Sequence, residues 1–404
     1  MNNSNFKTLL FFKAALIFLF SCSIESRTSF VGDLDSNIDS ISKFQIKQKS
    51  KFVFNNDTND NYWPIFNFNY SKLNTDLYCL SSKWNILSYN FDSSKIFKIK
   101  LPSQIKEKLN KDEVHLKMIR YNDSILYFIT GKNLIEYHSK SQKIITSEIK
   151  FPEYSNSKFS ISNMDVQRFG FPVVIDSLMN IQVSSFLLDK KTRLWNKSND
   201  PYPMELSINT KTLTSQYNSI QTPIFFKKFN YGLFEICYRL VNDKKRIFSF
   251  PLSGNIYIKQ PDGSLLVIGG KSKYQKDSII SPLSYYNEES HVNSDSNWYH
   301  YTHNDYYGYL IYNPTIKKYF RFYHHKLPKQ LKNGFYATSN DRQVSVQVFS
   351  ENFKLTHEEV LDGIHYTYYL IPYKNGFIIN NNGLRWKSLT HEFFYYEFLK
   401  LQIK

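Results

Sequence analysis

The sequence predicts an all-β protein, a β-propeller of six or seven blades. Three observations predict it. From about Phe52 onward, short apolar runs alternate with Asn, Asp, Ser and Lys clusters, and few windows keep a helical period over three turns. One hairpin unit returns at a spacing of about 50 residues, the scale of a propeller blade. Aromatic residues make up 17% of the chain, with 34 Phe and 31 Tyr, and such residues favour pleated, half-buried surfaces.

The first element is an export signal. Met1–Lys13 is polar, then mixed apolar and basic, and Ala14–Phe20 (AALIFLF) is a short apolar run before Ser21. That run is too short for a membrane span, which needs about 20 residues. Leu19-Phe20-Ser21-Cys22 is similar to a bacterial lipobox, with Leu19 and Ser21 matching and Phe20 bulkier than usual. The similarity implies cleavage before Cys22 and acylation there, so that a soluble domain is held at a membrane. Residues 22–50 read as a Ser-, Asp- and Lys-rich tether, and residues 51–404 as the propeller.

Within the body, Ser103–Lys111 after Pro102 reads as a short helix with Ser103 as its N-cap. The hairpin unit has an apolar strand, a polar turn with Lys or Arg near its end, and a second strand. It recurs at Ile86–Pro102, Leu134–Pro152, Ser185–Trp195, Ile236–Pro251 and Tyr309–Pro328, with a degenerate copy at Phe349–Pro372. The clearest copy has Asn313-Pro314 at its turn, where Asn suits the first position and Pro pre-sets φ at the second. Leu310, Ile311, Phe320 and Phe322 lie on both sides of one hairpin, as expected if each small sheet is covered on both faces by its neighbours. A β-sandwich is the alternative architecture. Gln260-Pro261-Asp262-Gly263 marks another hairpin turn.

YLIYNPTIKKYFRF (Tyr309–Phe322) resembles the signature of an uncharacterised Bacteroidetes lipoprotein family, domain of unknown function 4221. Gly269–Tyr274 with Pro282-Leu283, and the closing stretch Asn380–Ile403, resemble it too. The resemblance implies an exported, lipid-anchored, propeller-like protein and no particular activity. Asn313 stands where Asp is common in that family, which argues against metal binding at this turn.

The chemistry is sparse. No GxSxG elbow, HExxH or glycine-rich phosphate loop is present. The three cysteines, Cys22, Cys79 and Cys237, lack zinc spacing; Cys79 and Cys237 could pair in an oxidising compartment, but each sits in an apolar run and reads rather as a buried free thiol. His300 and His303 would share a face only on a helix, and their segment reads as strand. No cofactor and no metal are expected. Net charge is +16, but the lysines are scattered and form no basic stripe, so nucleic acid is not an expected partner.

The long polar insertion Lys271–Asp305 is the expected contact surface. Lys271, Lys273, Tyr274, Trp298, Tyr299, Tyr301, Tyr306 and Tyr307 are the candidate ligand-binding residues in and beside it; Trp298, Tyr299, Tyr301, Tyr306 and Tyr307 could equally serve only to pin the loop onto the domain. Arg321, unusual in an apolar strand, is either an inter-blade ion pair or a ligand clamp. The expected function is a binding or scaffold module of the cell envelope, anchored in the outer membrane through Cys22 and contacting a glycan, peptide or envelope protein. A hydrolase or lyase with its site at the propeller channel is the alternative.

Overall fold

The computed structural model describes the strands and helices named below, with the continuous stretches 101–111, 133–149, 202–220, 237–275, 294–332, 341–365 and 370–380. Six units dominate it, each a set of four strands joined antiparallel in chain order. Sheet 1 contains Tyr62–Ile65, Asp76–Ser81, Asn85–Asn90 and Lys95–Lys100. Sheet 2 contains Lys117–Arg120, Ile125–Thr130, Asn133–His138 and Lys143–Glu148. Sheet 3 contains Val173–Ile175, Leu178–Gln182, Tyr202–Asn209 and Ser215–Ile220. Sheet 4 contains Tyr238–Asn242, Lys245–Ser249, Ile256–Lys259 and Leu265–Ile268. Sheet 5 contains Tyr306–Asn313, Lys318–His324, Gln343–Phe349 and Leu355–His365. Sheet 6 contains Leu370–Tyr373, Gly376–Asn380 and Phe393–Ile403, and its fourth strand is Phe44–Asn55 from the other end of the chain.

A fifth strand, Thr28–Val31, joins sheet 4, and among the described residues a three-stranded sheet (Phe159–Ile161, Leu187–Asp189, Trp195–Asn196) and a two-stranded one (Phe229–Asn230, Ser284–Tyr285) complete the β structure. Two helices are described. Helix α1 is Ser103–Lys111 and helix α2 is Ser294–His303.

The sheets pack face against face. Ile86 of sheet 1, with Ile105 and Leu109 of α1, meets Leu126, Phe128 and Ile135 of sheet 2. The other side of sheet 2 (Tyr127, Ile129, Leu134) meets Met179, Ile181, Leu206 and Ile208 of sheet 3. Leu240, Ile247, Ile256 and Ile258 of sheet 4 meet Leu310, Tyr312, Tyr319 and Phe349 of sheet 5. The opposite face of sheet 5 (Ile311, Phe320, Phe322, Val346) meets Phe377 of sheet 6. All eight residues of Tyr306–Asn313 are buried for this reason, and the hairpin presents apolar groups to both sides as expected.

Where faces do not explain a contact, polar links do. Arg239 and Arg246 of sheet 4 pair with the fully buried Glu205 of sheet 3. The Asn313 amide at the first turn of sheet 5 donates to Lys374 O (2.9 Å) and Gly376 O (2.7 Å) at the first turn of sheet 6. That turn in turn reaches sheet 1, where Asp92 accepts from the Tyr373 hydroxyl and lies 3.1 Å from Lys374 Nζ.

Several expectations need adjusting. One strand falls inside the stretch 22–50 expected as a tether and another begins there: Thr28–Val31 pairs in parallel with Leu265–Ile268, and Phe44–Asn55 pairs with Phe393–Ile403. The alternation in FQIKQKSKFVF suits a strand. The hairpins read as one repeat are of two kinds. Those at Asn90 and His138 are the third turns of their sheets, whereas those at Asn242 and Asn313 are first turns. Both kinds carry the same pattern, so a 50-residue spacing does not measure the sheet repeat. The copy at Ser185–Trp195 belongs to the small three-stranded sheet.

Helix α1 occupies the expected residues, but the carbonyl of Pro102 accepts the first helical bond, from Lys106 at 3.2 Å. Thus Pro102 is the cap and Ser103 the first helical residue. The turn at Gln260–Gly263 forms as expected, with Gly263 N–H donating to Gln260 O at 3.0 Å and a φ of 85° at Gly263.

Candidate functional site

In four antiparallel strands taken in order, the first and third turns emerge at one end. The second turn and the link to the next sheet emerge at the other. The second turns of sheets 4 and 5 (250–255 and 325–342) therefore share an end with the long connection 269–305. Most of the candidate residues sit there.

The segment after Leu265–Ile268 is pinned across to sheet 5. Gly270 allows the close approach: a Cβ there would lie 3.1 Å from Gly254 O and 3.2 Å from the Phe349 ring. Glu358 is the anchor. Its carboxylate accepts from Ser272 Oγ (2.5 Å) and from Lys273 N–H (2.9 Å), and Lys273 Nζ donates to Glu358 O (2.7 Å). Burial pushes the Glu358 carboxyl above its ordinary range, against the pull of those donors. Ser272 N–H donates to the Tyr307 hydroxyl (2.8 Å), which donates to Gln275 Oε1 (2.7 Å).

Arg321 is fully buried beneath this network. Its guanidinium lies 3.7 Å from the Tyr307 ring centre. It donates to Ser249 Oγ (2.9 Å), Ser253 O (2.5 Å) and Gly254 O (2.7 Å) of sheet 4. The cation is held by carbonyls, a hydroxyl and an aromatic face rather than by a carboxylate contact, so the inter-sheet link expected of it is not an ion pair. Burial lowers its pKa to about 10, which leaves it charged at neutral pH.

The segment around Trp298–Asp305, expected as strand, is helix α2. Its β-favouring composition is overridden from outside. Arg342, fully buried, donates to Tyr301 O (2.5 Å), to Thr302 O and to Asn304 O (2.7 Å) at the helix C-terminus. A cation there satisfies orphan carbonyls and opposes the negative end of the helix dipole. The Tyr301 and Tyr306 hydroxyls meet at 2.5 Å, and Tyr306 stacks on His324 at 4.4 Å. Burial holds His324 well below the usual imidazole range. On this helix His300 and His303 do stand one turn apart, yet His303 contacts Tyr299 (4.3 Å) and Leu327 O (3.1 Å). Among the described residues no group of three or more His, Cys, Asp or Glu is placed to hold a metal.

The candidates thus divide. Tyr301, Tyr306, Tyr307 and Arg321 are buried within the fold. Lys271 and Lys273 are exposed, Tyr274 is half-buried, and Tyr299 is 49% exposed. Trp298 lies on α2, with its side chain outside the described residues, as is Cys22. Tyr274 meets the ring of His325 at 5.1 Å, and Lys329 Nζ stands 5.8 Å from the Tyr299 ring. Lys329 and the buried Glu358 and Arg342 were not singled out by the sequence. A lone Arg or Glu carries no local mark of its partner.

One arrangement resembles a nucleophile and base. His325 Nε2 lies 2.5 Å from Ser345 Oγ, and the nearby Asp305 opposes the effect of burial, which lowers the His325 pKa. Ser345, however, is 0% exposed, so its hydroxyl is closed off from solvent. Cys237 is a buried free thiol whose pKa burial raises; the Cys79 side chain lies outside the described residues.

Stacked four-stranded sheets with their long connections gathered at one end define an all-β, propeller-like protein. The chain belongs to the domain of unknown function family DUF4221, whose model matches residues 119–360. A member of that family from Bacteroides vulgatus ATCC 8482 is similar in structure, with a TM-score of 0.63 at 16% identity, covering 90% of this chain and 99% of that one. Looser overlaps occur with virginiamycin B lyase from Staphylococcus aureus and with Kluyveromyces lactis Hsv2p. The first has a TM-score of 0.38 at 9% identity, covering 87% of this chain and 99% of the lyase. The second has a TM-score of 0.36 at 10% identity, covering 79% of this chain and 70% of Hsv2p. Neither overlap bears on function. No curated relative matches the chain in sequence.

Proposed function

We propose that the protein is an exported, lipid-anchored β-propeller of six blades that acts as a binding module. The order of sheet contacts supports the ring. It passes from sheet 1 to 2 to 3 to 4 to 5 to 6 and returns to sheet 1 through Asp92. Supplying one strand of sheet 6 from the start of the chain and three from its end is a way of fastening such a ring. The three-stranded sheet then lies outside the count of blades. The anchor reading rests on Leu19–Cys22 and on the family resemblance, and it puts the protein in the outer membrane of the cell envelope.

The observation that carries binding over catalysis is how the site spends its chemistry. Glu358, Ser345, Tyr307 and Arg321 are enclosed and committed to the fold. What faces solvent is an aromatic and cationic rim: Tyr299, Tyr274, Lys273 and Lys329. An aromatic face with lysines beside it suits a sugar ring that bears acid groups, or an acidic peptide. For the alternative, a hydrolase or lyase with its site at the propeller channel, the described residues offer His325 beside Ser345, and that hydroxyl is buried.

Deleting the whole insertion would be a poor test, because Ser272, Lys273 and Tyr301 hold up the fold. A glycan and peptide array probed with the wild type and with Tyr274→Ala/Tyr299→Ala is better. A retained ligand that the double variant binds at least tenfold more weakly supports the reading. Equal binding by both proteins refutes the rim as the contact surface.

A further inference from the structure

We infer that the contact between sheets 3 and 4 binds a small oxyanion group (a carboxylate, phosphate or sulfate) on Arg246 and Lys259. The inference is independent of the aromatic and cationic rim proposed above. Two observations carry it.

The first is the character of this contact. Strand alternation and register put Arg239, Val241, Arg246, Phe248, Tyr257 and Lys259 on one face of sheet 4. The other face, with Leu240, Ile247, Ile256 and Ile258, packs on sheet 5. In sheet 3, Met179, Ile181, Leu206 and Ile208 pack on sheet 2. Alternation therefore turns Leu178, Asn180, Glu205 and Ser207 the other way, with Gln216 opposite Ser207 on the last strand. The bonds from Arg239 and Arg246 to Glu205 show that these two faces meet. Apolar residues of both partners cluster where sheet 1 meets 2, 2 meets 3, 4 meets 5 and 5 meets 6. Where sheet 3 meets 4, the partners that bond across are Asn180, Glu205, Arg239 and Arg246. The polar face of sheet 3 is open at its margins, since Leu178 is 37% exposed and Gln216 is exposed.

The second is the pairing of charges. Arg246 and Lys259 stand directly opposite one another on adjacent strands, a placement that like charges disfavour. Among the described residues of the two faces, the cations Arg239, Arg246 and Lys259 meet one carboxylate. That carboxylate, Glu205, is fully buried and divides its oxygens, Oε2 to Arg239 and Oε1 to Arg246. The adjoining turns do not reverse the balance. Asp243 and Asp262 stand there with Lys211, Lys244 and Lys245, and Asp262 accepts from Ser264 N–H (2.9 Å) and Oγ (2.7 Å) in its own turn. Arg246 uses Nε on Glu205 and Nη2 on Asn180 Oδ1 (3.2 Å), while its Nη1 has no hydrogen bond among the described residues. Its side chain is 23% exposed, so the guanidinium is reached from solvent. Lys259 is half-buried. Burial first and the Arg246 charge second lower its pKa, with Glu205 opposing. Two neighbouring cations are thus partly out of water. An anion between them relieves their repulsion where the medium screens less than bulk water. A guanidinium with an ammonium beside it suits the oxygens of a single acid group.

The test is lysine acylation of the full chain, read by mass spectrometry. Inorganic phosphate, glycerol phosphate, sulfate or acetate is added at about 10 mM, with chloride at matched ionic strength as the reference. A bound anion keeps the Lys259 ammonium protonated. Acylation there should slow at least about threefold with one or more of the oxyanions, as a dissociation constant of about 5 mM or tighter requires. Lys211 and Lys244, exposed on the adjoining turns, should keep their rates. No slowing at Lys259, or equal slowing at all three lysines, overturns the site. Protection by glycerol phosphate as well as phosphate supports an acid group carried on a larger molecule, and protection by an inorganic or acetate ion alone supports a free anion. Arg246→Gln should abolish the protection. Because that change also takes a partner from Glu205, Lys259→Gln gives a second reading. In titration calorimetry it should bind the protecting anion at least about tenfold more weakly than the wild type, and unchanged affinity overturns the assignment to this pair.

Discussion

Replacing Arg321 by Met tests whether a buried cation holds two sheets together. The substitution keeps most of the side-chain volume and removes every donor. Three hydrogen bonds to sheet 4 are lost, with the stack on Tyr307 at 3.7 Å. Two carbonyls, Ser253 O and Gly254 O, lose a donor at about 1–3 kcal/mol each. The desolvated cation–π contact adds about 2 kcal/mol. Offsetting this, Met no longer brings a guanidinium out of water, a penalty of several kcal/mol in the wild type. The balance is a loss of about 3 kcal/mol. Urea denaturation followed by far-ultraviolet dichroism reads it as a lower midpoint. Arg321→Lys should recover part of the loss, because an ammonium reaches a carbonyl but cannot stack its plane on Tyr307. A loss below about 1 kcal/mol for Arg321→Met would refute the reasoning, since the carbonyls would then have found water or another donor.

Three further changes follow from the same contacts. Asn313→Asp should destabilise by about 2 kcal/mol at neutral pH, because a carboxylate would face Lys374 O and Gly376 O where the amide now donates; thermal melts at pH 7 and pH 4 check it, with the gap narrowing in acid as the new carboxyl takes up a proton. His324 is held neutral by burial, so the unfolded chain binds the extra proton and stability falls as pH drops below about 6.5; His324→Phe should flatten that fall in melts between pH 6.5 and 5. Glu358 has the opposite sign, since its raised folded pKa makes stability fall as pH rises from the unfolded carboxyl value through the folded one. Glu358→Gln should therefore show a shallower decline between pH 4 and 7 than the wild type, and an unchanged slope would mean that Glu358 is ionised without cost.

What the sequence revealed follows a physical divide. Hairpins were legible because their turns are local: Asn313 Oδ1 accepts from Thr315 N–H (2.9 Å), and Asn90 does the same for Asp92 (3.0 Å) and Ser93 (2.8 Å). Two-sided burial was legible in Leu310, Ile311, Phe320 and Phe322, because an unbroken apolar run has no other stable use in a small sheet. Helix α2 was hidden because its own residues favour strand, and the groups that hold it are on Arg342, 38 residues from Asn304. For the same reason the sequence leaves open which loop aromatics face a ligand and which pin the loop. Tyr301, Tyr306 and Tyr307 are buried, and their partners His324 and Arg321 come from the strand Lys318–His324 and Arg342 from the residue before Gln343–Phe349.

The polar links explain something that apolar faces alone leave open. A face of Leu, Ile and Phe packs acceptably on many other such faces, so burial makes the sheets stack without deciding which neighbour each one takes. Arg321 removes that freedom between sheets 4 and 5, because its three bonds need two carbonyls, of Ser253 and Gly254, beside the Ser249 hydroxyl. Glu205 does so between sheets 3 and 4, accepting from two arginines while Asn180 beside it takes a further Arg246 bond at 3.2 Å. Asn313 does so between sheets 5 and 6 with two bonds that an Asp could not donate. A mispaired sheet would leave a buried guanidinium, carboxylate or amide unsatisfied, at several kcal/mol for the charged groups. Burial of apolar faces supplies the cohesion, and these few buried polar groups set the order of the sheets. That order brings the connections 250–255, 269–305 and 325–342 together at one end.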